Sequence, residues 1–140
     1  MSLYVVDASV AIKLYVPEVH SPQAVRFFSD QHDLIAPDLM LSEFGNIVWK
    51  KVTLHAELTK GEGDRIITAV QTLPLTYYGA TDLLTVAFQI ALNTRCTVYD
   101  CLYVALAVSR GCQLMTDDRK LSAALTWTSL DASLTLLENY

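Results

Sequence analysis

The chain has 140 residues, 52% of them hydrophobic and 18% charged, with 15 acids against ten bases for a net charge of −5. That length and apolar content predict a single domain over residues 1–140 with a sizeable core, and exclude a disordered chain. The acidic balance excludes indiscriminate binding to nucleic-acid backbone, which relies on basic surface.

No apolar run reaches the ~18 residues of a membrane span, and the N-terminus lacks the basic region and apolar stretch of a signal peptide. Cys96, Cys101 and Cys112 are odd in number and lie in apolar sequence. They read as buried free thiols, which fits a reducing cytoplasm. Basic surface is confined to Lys50 with Lys51 and Arg119 with Lys120, with Lys13, Arg95 and Arg110 scattered.

Leu3 to Val6 reads as a short buried strand, and Ser9 as the N-cap of a helix through about Val16 that Pro17 breaks. Ser21-Pro22 opens a second helix, with Pro at its first position. Leu34 to Ala36 is a second strand, closed by Pro37. A long helix then runs from about Asp38 to His55 and turns Lys50 and Lys51 toward water. Gly61 and Gly63 weaken the next segment, yet Ile66, Ile67 and Val70 keep helical spacing. Leu75 to Tyr77 is a third strand, and Thr81-Asp82 starts a helix carrying Leu83, Ala87, Ile90 and Ala91. Another helix begins near Asp100 and stops at Gly111, a helix-ending glycine. Gln113 to Thr116 reads as the fourth strand and Asp118 to Leu125 as a short helix, with an edge strand and tail over Trp127 to Tyr140. Strands separated by helices predict a three-layer α/β/α domain with a mainly parallel central sheet.

Four acids stand in apolar settings. Asp7 ends the run Leu3-Tyr4-Val5-Val6, and Glu43 lies among Leu39, Met40, Asn46 and Ile47. Asp100 starts the apolar run through Ala107, and Asp118 follows Leu114-Met115-Thr116. Each alone has an ordinary explanation as a helix cap, a turn residue or a helix-rim residue. Together they are costly to desolvate without a compensating charge, and few cations neighbour them. In an α/β fold, ligands bind beyond the carboxyl ends of the strands, where Asp7 and Asp118 would lie. A pocket of three or four carboxylates suits Mg²⁺ or Mn²⁺, which would bind a bridging phosphate and activate a water.

Other constellations are poorer. His20, His32 and His55 lack zinc-spaced partners and read as surface or helix-end residues. There is no Gly-rich phosphate loop, and neither Ser9 nor Ser42 sits in a nucleophile elbow. Tyr4, Tyr15, Tyr77, Tyr78, Tyr99 and Tyr103 read as core or interface rather than as an RNA-stacking platform.

Asp7-Ala8-Ser9 after the first strand resembles the opening motif of PIN-domain ribonucleases. Ser42-Glu43 with Asn46 resembles their helical acidic motif. Tyr99-Asp100 leading into Leu102-Tyr103-Val104-Ala105-Leu106-Ala107 is similar to the third, and Thr116-Asp117-Asp118-Arg119 to the Thr-x-Asp motif. In order and spacing the chain is most similar to VapC-type toxins of VapBC toxin–antitoxin systems. The resemblance implies a Mg²⁺- or Mn²⁺-dependent endoribonuclease with Asp7, Glu43, Asp100 and Asp118 as metal ligands. Ser9 and Thr116 would orient ligands or metal-bound water, with Asn46 as outer support. It also implies an RNA substrate, a small antitoxin partner that blocks the site, and a homodimer. Of the adjacent acids, Asp118 would be the ligand and Asp117 a solvated turn residue or weak outer contact. Two rivals stand beside this reading. One is a metal-dependent phosphohydrolase of small phosphate esters, which would want an Asp where Ser9 stands. The other is a non-catalytic PIN-like scaffold binding RNA or protein.

Overall fold

The computed structural model describes residues 2–140. Five apolar runs form the strands β1 (Leu3–Val6), β2 (Asp33–Pro37), β3 (Leu75–Tyr78), β4 (Gln113–Thr116) and β5 (Leu134–Leu136). Every pairing is parallel, in the order β3-β2-β1-β4-β5. Seven α-helices accompany the sheet: α1 (Ala8–Ala11), α2 (Ser21–Ser29), α3 (Leu39–Thr53), α4 (Lys60–Val70), α5 (Leu84–Thr94), α6 (Val98–Arg110) and α7 (Arg119–Leu125).

A parallel sheet of this kind is covered on both faces, so its strands are apolar on both. Because side chains alternate along a strand, Val5, Ile35 and Leu114 point to one face, and Val6, Leu34 and Met115 to the other. The first set packs with Met40 and Phe44 of α3 and with Leu102 and Leu106 of α6. The second packs with Ala24 and Phe27 of α2 and with Leu137 near the C-terminus. Phe27 and Phe44 are both fully buried. Each contributes on the order of 1.5–3 kcal/mol through removal of its ring from water.

Local signals fix most helix ends. Thr59 and Glu62 form a reciprocal capping box that starts α4 despite Gly61 and Gly63. Thr97 caps α6, and Gly111 ends it in the left-handed region at φ 62°. The first helix departs from expectation. Asp7, not Ser9, is its N-cap, and the α-helical part stops at Ala11 before a 3-10 turn over Ile12–Leu14. Asp7 wins because its carboxylate accepts from the backbone N–H of both Ser9 and Val10. Pro37 belongs to β2 and pairs only toward β3, where its missing N–H breaks no bond to β1. Among the described residues no helix is long and apolar enough to cross a membrane.

Candidate active site

β1 lies between β2 and β4, so the strand order reverses direction in sequence at β1. Connections leaving β1 and β4 diverge there and open a crevice beyond the strands' carboxyl ends. Asp7 follows β1 directly, and Asp118 comes two residues after β4. Glu43 projects from α3 and Asp100 from the first turn of α6. All four carboxylates line one cleft of about 420 Å³, together with Ser9 and Asn46.

Asp7 is held most tightly. Its Oδ1 accepts from Ser9 N at 3.0 Å, Val10 N at 3.3 Å and Ser9 Oγ at 2.5 Å. Its Oδ2 accepts from the Thr116 hydroxyl. Only 8% of Asp7 remains exposed. Burial pushes its carboxyl up from 3.8 to about 6; the Asp118 charge adds to the rise, and hydrogen bonds from Ser9, Thr116 and Val10 oppose it.

Thr116 and Ser9 act as struts between the two strand ends. Thr116 is fully buried, and its Oγ1 accepts from Asp118 N at 3.1 Å while donating to Asp7. Ser9 Oγ accepts from Asp117 N at 3.0 Å while donating to Asp7. Both hydroxyls are therefore engaged within the protein. Asp118 spends one oxygen capping α7, its Oδ1 accepting from Leu121 N at 3.0 Å.

Glu43 is half-buried, and its Oε1 accepts a 2.5 Å hydrogen bond from the Tyr103 hydroxyl. Burial and the Asp100 charge raise its carboxyl, against that hydrogen bond. Asp100 is raised by burial and then by the Asp118 charge, with Thr97 opposing. In all three raised carboxylates burial is the largest cause, and a neighbouring carboxylate adds to it. None of the ten Lys and Arg residues lines the cleft.

This donor set fits a hard divalent cation, since every candidate ligand atom is oxygen. Among the described residues no group of three or more Asp, Glu, His or Cys side chains is placed closely enough to hold a metal ion as the side chains stand. Carboxylates spread around a cleft suit a divalent cation that retains several waters and uses few direct carboxylate contacts.

Asp117 is tied down rather than solvated, which corrects the first of its two expected roles, solvated turn residue or weak outer contact. It is not among the residues lining the cleft, and its Oδ1 lies 2.9 Å from His20 Nδ1 and its Oδ2 3.2 Å from Lys13 Nζ. Lys13 is only 8% exposed and also pairs with Glu18 at 3.0 Å. Lys13 is thus no surface cation, and His20, in a left-handed position ahead of α2, is a hydrogen-bond partner of Asp117. Lys51, expected in water, bridges Glu18 at 2.8 Å and Glu57 at 3.0 Å.

Tyr103 is expected among the core or interface tyrosines. It is buried, but it also lines the cleft and holds Glu43. Its position three residues beyond Asp100 puts both on one face of α6, a spacing that the sequence does contain. Tyr99 differs from the other five: it is 63% exposed at the cleft.

The PIN domain family model matches residues 4–124. The chain belongs to the PIN domain family. It is 38% identical over 123 residues to Ribonuclease VapC3 of Pyrobaculum aerophilum, covering 84% of this chain and 91% of that protein. A crystal structure from Pyrobaculum aerophilum shares the fold at TM-score 0.67 and 24% identity, over 99% of this chain and 85% of the other. The sarcin-ricin loop cleaving toxin VapC20 of Mycobacterium tuberculosis does so at TM-score 0.66 and 16% identity, over 86% and 94%. A toxin–antitoxin complex from Klebsiella pneumoniae matches at TM-score 0.62 and 13% identity, over 98% of each chain. The PIN fold accounts for the parallel sheet order and for the crevice where the acids gather.

Proposed function

We propose that this PIN-domain protein is a Mg²⁺- or Mn²⁺-dependent endoribonuclease and the toxin of a VapBC-type pair. The observation that carries the reading is the cleft itself: Asp7, Glu43, Asp100 and Asp118 come from four separate segments and line one crevice that no Lys or Arg enters. The 38% identity to a named VapC ribonuclease supports RNA as the substrate class.

The reaction consumes one water per phosphodiester, breaks one P–O bond and leaves one phosphate-ended and one hydroxyl-ended fragment. When bound, the divalent ion supplies charge for the phosphate and acidifies a water. The protein's part is positioning. Ser9 and Thr116 fix Asp7 on both oxygens, Tyr103 fixes Glu43, and Leu121 N fixes one oxygen of Asp118, which lines the cleft. Asn46 borders the same space as an outer support. No protein nucleophile is required, and no histidine lines the cleft.

The resident partners in this reading are a second copy of the chain and a small antitoxin that carries Arg or Lys toward the acids, in the cytoplasm. Titrating purified protein with Mg²⁺ or Mn²⁺ while following cleavage of total RNA tests the catalytic claim. Cleavage should need the ion and stop in excess EDTA. RNA binding without cleavage at any metal concentration would favour the non-catalytic scaffold instead.

A further inference from the structure

We infer that Tyr99 is a base-stacking residue that selects RNA with an unpaired nucleobase beside the scissile phosphate. The inference deepens the proposed ribonuclease reading and rests on it. Tyr99 is the residue before Asp100, and its 63% exposure at the cleft contrasts with the near-complete burial of Tyr103 one turn later. Leu39 and Ile47 of α3 face the same cleft and extend the apolar side of its wall. An exposed aromatic ring at the start of a helix has no internal partner, yet lies beside the acids that would meet the phosphate.

Charge makes the case sharper. A nuclease normally gains much of its grip from Lys and Arg on phosphates. Here none of the ten Lys and Arg residues lines the cleft, and several are engaged elsewhere. Lys13 and Lys51 are tied to Glu18, Lys60 to Asp64 and Arg119 to Glu138, while Arg110 lies over the Tyr78 ring. With an acidic cleft and no basic lining, affinity near the scissile bond beyond what the divalent ion supplies comes from contacts other than Lys and Arg. Stacking on an aromatic side chain supplies it without sequence reading, because every base has a π-face. A paired base cannot present that face, so duplex RNA is rejected.

The test measures binding of ten-nucleotide oligoadenylate and oligouridylate, and of an RNA duplex, in an Asp7→Asn background that does not cleave. A 2-aminopurine probe placed along the adenylate strand reports stacking. Asp7→Asn alone should bind oligoadenylate more tightly than oligouridylate, quench the probe and bind the duplex weakly. Adding Tyr99→Ala should weaken oligoadenylate binding roughly tenfold or more, abolish the base preference and remove the quench. Adding Tyr99→Trp should restore all three, which a merely structural role would not predict.

Unchanged affinity in Tyr99→Ala, with wild type still cleaving RNA, overturns the stacking role and leaves the ribonuclease reading intact. Loss of self-association in Tyr99→Ala with unchanged RNA affinity also overturns it and places the ring between copies of the chain. Absence of any RNA binding or cleavage by wild type overturns both.

Discussion

Tyr103 holds Glu43 through a 2.5 Å hydrogen bond from its buried hydroxyl, so a helix of the α6 layer sets the geometry of a carboxylate on α3. The bond favours the ionised form of Glu43, while burial and Asp100 oppose it. Tyr103→Phe keeps the ring in the core and removes only that donor. Its expected result is a several-fold rise in the Mg²⁺ concentration for half-maximal cleavage. Mn²⁺ affinity measured by calorimetry on the same variant should fall in parallel. A shift in cleavage rate without any shift in metal affinity would remove this positioning role.

Asp7 should make metal-free stability fall as pH rises. Its folded carboxyl titrates at about 6 against an ordinary 3.8, so between those values the native state holds a proton that the unfolded chain has lost. Stability therefore declines from about pH 4 and levels off above about pH 6, by an upper bound of about 3 kcal/mol. Asp7→Asn lacks this term and keeps an oxygen for the α1 cap. Denaturant melts in EDTA should show the variant equal to wild type near pH 4 and more stable at pH 7.5. Added Mg²⁺ should close that gap by stabilising wild type selectively.

The neighbours Asp117 and Asp118 should separate cleanly. Asp118 lines the cleft, whereas Asp117 is engaged by Lys13 and His20. Asp118→Asn is expected to reduce metal-dependent cleavage by orders of magnitude with little loss of stability. Asp117→Asn should retain most activity below its melting temperature but lose roughly 1.5–3 kcal/mol, because Lys13 keeps only Glu18. Parallel Mg²⁺ titrations and thermal melts decide it, and the reverse ranking would shift the motif by one residue.

Much of this arrangement was legible because the chain's local signals agree. Leu3–Val6 and Gln113–Thr116 appear in the sequence as the strands observed, and Gly111 ends its helix as expected. The four acids stood out because apolar neighbours surround them. What stayed hidden depends on contacts remote in sequence. Lys13 meets Asp117 across 104 positions, so nothing local removes it from the pool of surface cations. The same holds for Tyr103 and Glu43, which lie 60 residues apart. The sequence offers Asp7 as a turn residue or ligand and Ser9 as the cap. Period and propensity favour Ser at that position equally, and only the backbone geometry after β1 assigns the cap to Asp7.

The most direct measurement is sequencing of RNA ends after incubation with wild type or Asp7→Asn protein, with Mg²⁺ and with excess EDTA. Discrete new ends should appear with wild type in Mg²⁺ alone, at positions left unpaired in the RNA. The same ends produced by Asp7→Asn, or by wild type in EDTA, would contradict a metal-dependent active site built on these four acids.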